Sequence, residues 1–195
     1  MIKVYDSLKE RILAKERSDR NFLLLLAFIL ALALTVVVVN TYVFFRVEVV
    51  GSSMRPTLTS GDVLVVNSKR VAECGDIVII DGEKSNAWLI KRVIAKGGQT
   101  VEIKEDGYVY VDGVKLNENY VEQGVLTQSL DWEKRTLEEG EIFYLGDNRK
   151  NGMSSDSRTK SFGTCSEEQI LGVVPDWSLS ARWFNGLLFR AIKGE

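Results

Sequence analysis

The hydrophobic positions of this chain fall into two regimes. Between residues 22 and 45 they are nearly continuous: residues 22–39 read FLLLLAFILALALTVVVV, and the uncharged run extends through Asn40 and Thr41 to Phe45. At about 1.5 Å per residue, a helix over this run covers roughly 36 Å, enough to span a bilayer core. A secretory leader has a shorter apolar region and a small-residue cleavage site. Here the bulky Tyr42, Val43, Phe44 and Phe45 follow, so an uncleaved anchor is expected, with Tyr42 suited to the interface. Lys9, Arg11, Lys15, Arg17 and Arg20 precede the run, which predicts a cytoplasmic N-terminus and an extracytoplasmic remainder.

After Arg46 the apolar runs become short, with turn residues between them. Strands are expected over 47–50, 63–66, 77–80, 88–95, 100–103, 108–111 and 142–145. Asp106-Gly107 and Asp112-Gly113 suit tight hairpin turns, so VEIKEDGYVYVDGVKL reads as a small meander. Residues 117–140 read as loops, and 166–170 as the start of a short helix capped by Ser166. GGQTVE after Lys96 marks a boundary. The pattern predicts a mainly β fold: an antiparallel β-sheet domain over 46–195 with a small inserted β subdomain at 97–141, behind a tail at 1–21 and one N-terminal transmembrane helix at 22–45. The C-terminal WFNGLLFRAIK, residues 183–193, is too short to span; it reads as packing on the domain or as an interfacial helix.

Composition narrows the chemistry. A net charge of −2, with no long basic run outside the tail, argues against nucleic acid as a partner. The chain has no histidine, which removes Ser-His-Asp and Cys-His nucleophile systems and any zinc site that needs imidazole. Cys74 and Cys165 form no Cys-x-x-Cys pair, although one disulfide between them stays open.

Three segments carry reactive groups. VEVVGSSMRPTLTSGD places Gly51, Ser52 and Ser53 at a strand end; alone, a Ser-Ser pair is ordinary turn chemistry. AWLIKRVIAKGG is an apolar strand in which Lys91 and Arg92 face opposite sides, so one of them is expected to point inward. Its plain reading is a snorkelling lysine and an arginine paired with an acid. Its functional reading is a lysine whose pKa falls in an apolar setting supplied by Trp88, Ile90 and Val93, so that it can activate a serine. EIFYLGDNRKNGMSSDSR ends a strand in a loop whose interleaved arginines and aspartates favour charge-assisted hydrogen bonds over a metal site.

Together, GSSMRPTL, GDVLVVNS, KRVIAKGG and GDNR…SDSR resemble, in order and spacing, type I signal peptidases of the short Gram-positive form, over most of residues 47–163 and the preceding anchor. The resemblance implies a mostly antiparallel β peptidase domain that needs no cofactor and no metal. It implies that Ser53 is the nucleophile and Lys91 the general base, and that the Ser53 backbone N–H supports the oxyanion. Gly51 stands where some members carry a helper hydroxyl. Ser154 matches the serine that orients the lysine, with Ser155 the alternative, because the GDNR-to-SDSR interval is expanded here. Arg92, Asp147, Asn148, Arg149, Asp156 and Arg158 are implied as structural support. The substrate, a preprotein signal peptide, is implied to bind as an extended strand between Glu48, Val49, Val50, Gly51 and Ser52 on one side and Trp88, Leu89 and Ile90 on the other. Cleavage is implied after small residues in an Ala-x-Ala-like site, at a cell membrane and in the vicinity of the secretion translocon. The rival readings are a self-cleaving repressor, a specialised processing peptidase, and a tethered β-domain that binds a partner without catalysis.

Overall fold

The computed structural model of the protein describes residues 2–82 and 87–181, so residues 183–193 lie outside the described residues. The chain divides into two units, residues 1–43 and 44–195. The first is a single helix, α1 (Ile2–Val43), and among the described residues it is the one helix long and apolar enough to cross a bilayer. Among the described residues, every side chain from Lys15 to Val39 is exposed. A helix that is apolar all round needs a non-aqueous surrounding. Thr35 and Thr41 donate their hydroxyls to the carbonyls of Ala31 and Val37, at 2.9 and 2.8 Å, which suits such a surrounding.

The second unit is built from β1 (Phe44–Glu48), β2 (Val63–Asn67), β3 (Ile77–Gly82), β4 (Ala87–Lys96), β5 (Thr100–Ile103), β6 (Val109–Val111), β7 (Val114–Lys115), β8 (Arg135–Thr136), β9 (Glu141–Leu145), β10 (Cys165–Ser166) and β11 (Ile170–Val174). A one-turn helix, α2 (Asp176–Ser180), follows. Seven strands form the main sheet in the order β1-β2-β11-β3-β4-β9-β10, and four form a smaller one, β7-β6-β5-β8; every pairing is antiparallel.

The main sheet is buried on both faces at its centre, which explains the uninterrupted IVII of β3. Ile77 and Ile79 join Leu64, Val66, Met54 and Leu58 in one cluster, while Val78 and Ile80 join Val93, Tyr144 and Val173 in another. A third cluster, with Ile94, Phe143 and Leu145 against Val101, Val109 and Val111, joins the small sheet to the large one. In the small sheet Asp112 and Gly113 both take positive φ, 51° and 79°, the geometry a tight β6–β7 hairpin requires.

The elements differ from expectation in several places. β1 starts at Phe44 rather than Val47, because Phe45 and Val47 pack against the first core cluster. It stops at Glu48, where the chain bends towards Gly51, at φ +94°. The helix expected after Ser166 is only a 3-10 turn, Glu167–Gln169, in which Gln169 Oε1 accepts the Ser166 N–H at 2.9 Å. The chain then enters β11, a central strand that the sequence reading lacked. Its Gly172 disguises it: a Cβ there would lie 2.8 Å from the Asn67 carbonyl oxygen, so glycine is what lets β2 approach. Residues 117–140 are loops and turns apart from the two residues of β8.

Phe143 is fully buried at the junction of the two sheets, its ring 4.4 Å from that of Trp132. Phe143→Ala is expected to lower stability by about 3–5 kcal/mol, measured by denaturant unfolding; a loss below about 1 kcal/mol would mean that the junction repacks freely.

Candidate active site

β4 is the strand on which the site is organised. From Ala87 to Arg92 it pairs with β3, whereas β9 joins its other edge only from Arg92 onwards. Among the described residues, one edge of residues 88–91 therefore has no strand paired with it. Facing it across a groove of about 550 Å³ is the stretch from Val47 to Met54, with Gly152, Met153 and Ser155 completing the lining. Glu48, Val49, Val50, Gly51, Ser52, Trp88, Leu89 and Ile90 all line this groove, as do Ser53 and Lys91.

Ser53 and Lys91, 38 residues apart in sequence, meet there, with Lys91 Nζ 2.9 Å from Ser53 Oγ. The amine also donates to the Ile90 carbonyl at 2.9 Å. Lys91 is 3% exposed, and burial pushes its pKa from 10.5 down to about 8, against the pull of Asp156 and Asp147. An amine at that pKa is neutral in a minor fraction near physiological pH, far larger than for an ordinary lysine, and the neutral form can take a proton from a hydroxyl it touches. Of the apolar neighbours expected, Ile90 packs on the first cluster and Val93 on the second, while Trp88 is 56% exposed, its ring edge-on to Phe45.

The expectation that only one of Lys91 and Arg92 points inward is corrected: both are buried, because residues 91–95 of β4 are covered on both faces. Arg92 makes a two-pronged ion pair with Asp147, Nε to Oδ1 at 2.8 Å and Nη2 to Oδ2 at 2.6 Å. Its third nitrogen donates to the Gly75 carbonyl at 2.7 Å. Asp156 likewise accepts from Arg158 Nε and Nη2 at 2.8 and 2.9 Å. Both aspartates are fully buried, so each is tolerable only because a guanidinium neutralises it.

These pairs hold the loop after β9 against the turn that carries Ser53. Asn148 donates its backbone N–H to the Ser53 carbonyl and its side-chain amide to the Ser52 carbonyl, both at 2.9 Å. Thr57 donates to Asp147, and Gly146 N–H donates to Asp156 at 3.2 Å. At Gly146 a Cβ would collide with Ser154 Oγ and the Ser53 carbonyl oxygen, so this contact requires glycine. Ser154 Oγ is buried and has no hydrogen-bond partner among the described residues, Lys91 included, while Ser155 is exposed on the groove wall.

The chain matches the model of the family described as signal peptidase, peptidase S26, over residues 21–177. The chain belongs to that family. It is similar to a signal peptidase I of Bacillus amyloliquefaciens, 39% identical over 157 residues that make up 75% of this chain and 79% of that protein. It is also 39% identical, over 150 residues, to signal peptidase I T of Bacillus subtilis strain 168, covering 71% of this chain and 76% of that protein. A crystal structure of a signal peptidase I from Enterococcus faecalis V583 is 28% identical and covers 54% of this chain and 98% of its own, with a TM-score of 0.42. As a member of the signal peptidase family the protein is a serine endopeptidase.

Several supporting residues of this signal peptidase carried no sequence signal. Glu118 accepts from Arg149 Nη1 and Nη2 at 3.1 and 2.5 Å, Thr127 accepts from Arg149 Nη1 at 2.8 Å, and the Tyr120 ring lies 4.0 Å from the Arg92 guanidinium. Tyr120 also donates to Glu118 at 2.9 Å. All three sit in the stretch that reads as featureless polar loop, and only their long-range partners give them meaning. Cys74 is exposed and Cys165 buried, both free, and burial pushes the Cys165 thiol up to about 12.

Two stability measurements probe the site without reference to catalysis. The Lys91 ammonium is favoured in the unfolded chain and disfavoured in the fold, so between pH 8 and 10.5 the unfolded state binds more protons and stability rises with pH. Below that window the lysine costs on the order of 3 kcal/mol. Lys91→Met should therefore stabilise the protein near neutral pH and flatten the rise; unchanged pH dependence of unfolding would contradict the burial argument. Glu118→Ala strands the fully buried Arg149 and should cost about 3 kcal/mol or more in chemical unfolding, with Glu118→Gln costing less. Equal, small losses would mean that the pair contributes little.

Proposed function

We propose that the protein removes N-terminal signal peptides from secreted preproteins by a Ser-Lys mechanism, cutting after small residues in an Ala-x-Ala-like site. The observation that carries this reading is the 2.9 Å contact between a buried Lys91 amine and Ser53 Oγ, in a chain with no histidine. Neutral Lys91 takes the hydroxyl proton as Ser53 Oγ attacks the scissile carbonyl, and the resulting ammonium returns that proton to the leaving amine. The acyl-enzyme is then hydrolysed by a water that Lys91 deprotonates, and the proton goes back to Ser53 Oγ as the acid departs. The Ser53 backbone N–H donates to no carbonyl among the described residues and is left for the oxyanion. Gly51 supplies no hydroxyl to that hole. Ser154 Oγ, buried and free of other bonds, is available to steady the amine.

The substrate binds as an added strand. The edge of β4 at residues 88–91 and the opposite wall at 48–52 both offer main-chain groups, so affinity needs no particular side chains. Alternate residues of an extended substrate face one side, and shallow apolar pockets there select small ones. Helix α1 anchors the enzyme in the cell membrane in the vicinity of the secretion translocon, where preproteins emerge. Its tail is cytoplasmic and its sheet domain outside, in keeping with the lysines and arginines that precede the apolar run.

The test is cleavage of a preprotein with an Ala-x-Ala site in detergent. Ser53→Ala and Lys91→Ala should each lower kcat/KM by about a thousandfold or more without unfolding the protein. Wild-type activity should rise with pH through a single ionisation near the Lys91 value of about 8 and level off above it, since the neutral amine is the reactive form. An active Lys91→Ala enzyme, or a rate independent of pH from 6 to 10, would remove Lys91 from the mechanism.

A further inference from the structure

The groove is asymmetric about its reactive residues. Its two long walls, Glu48–Ser52 and Ala87–Ile90, both precede Ser53 and Lys91 in the chain and end at them. An extended peptide paired with those walls therefore has its contacts on one side of the scissile bond. What lies on the other side is set by the loop after β9. That strand stops at Leu145, opposite Arg92, and the loop that follows meets the turn carrying Ser53, held by the Asn148 bonds to the Ser52 and Ser53 carbonyls and by the packing of Ser154 against Gly146.

From this loop Gly152, Met153 and Ser155 reach the groove. Glycine offers no side chain and serine a small polar one. Met153 is a large apolar side chain left 50% exposed, on a turn closed by its own N–H to the Lys150 carbonyl at 3.1 Å. Its position is fixed by the turn while its thioether adapts to varied partners.

We propose that Met153 is a specificity-determining residue on the leaving side of the scissile bond, forming the apolar contact for the first residue of the released chain. This rests on the assignment of Ser53 as nucleophile. An apolar first residue gains contact with the thioether, whereas a carboxylate is desolvated against it without a partner.

The experiment uses the full chain in detergent and two pairs of peptide substrates. One pair differs only in the residue just after the bond, leucine or aspartate. The other differs only in the residue just before it, alanine or valine. Wild type should favour leucine over aspartate by about tenfold in kcat/KM. Met153→Ala should bring that ratio to within about twofold of unity, and Met153→Lys should invert it, while the alanine-to-valine ratio stays as in wild type. Met153→Leu should preserve the wild-type preference. The inference is overturned if the leucine-to-aspartate ratio stays at its wild-type value in both the Ala and Lys variants, or if the two ratios collapse together. Equal cleavage by wild type and Ser53→Ala would instead overturn the nucleophile assignment, and the inference with it.

Discussion

A buried amine becomes a base only where no uncompensated negative charge lies beside it. Lys91 has two carboxylates nearby, Asp156 and Asp147, and either alone would hold the proton on the amine. Each is instead locked into a guanidinium, Asp147 by Arg92 and Asp156 by Arg158. The aspartates thus serve as loop anchors whose charge is largely cancelled, and desolvation remains the dominant influence on the lysine. The arrangement uses planar two-pronged pairs, a geometry that lysine in place of either arginine would not reproduce.

Positioning of the serine follows from the same loop. The residue between the two members Asp147 and Arg149 is Asn148, and its two hydrogen bonds clamp consecutive carbonyls of Ser52 and Ser53. Arg149 is held in turn by Glu118 and Thr127, and Arg92 is covered by Tyr120. The β7–β8 connection of the small sheet therefore contributes directly to the support around the groove.

Much of the strand content is legible in the sequence, because strands buried on both faces leave short continuous apolar runs bounded by turn residues. β3 and β4 read this way. The contact between Ser53 and Lys91 is anticipated in the sequence partly by subtraction, since a chain without histidine has few groups that can activate a hydroxyl. β11 is hidden because Gly172 breaks its run for a reason that exists only when β2 lies against it. Glu118 and Tyr120 are hidden because an ion pair spanning 31 residues leaves no local pattern. That Lys91 and Arg92 are both buried is likewise a property of the layers around β4, which alternation along one strand does not reveal.

Under the proposed mode of binding, a cleft with a strand edge on one wall reads the conformational state of what enters it as well as its sequence. A strand inside a folded protein already has its hydrogen-bonding edges occupied by neighbours, and a helix turns its main-chain groups inward. Under that proposal, a segment pairs with the edge of β4 at residues 88–91 only while its own edge is vacant. On that proposal the unfinished sheet is a filter for unfoldedness: the interiors of completed proteins stay untouched even when they contain small residues in the right alternation, and a chain is admitted only while it has not yet acquired a structure of its own.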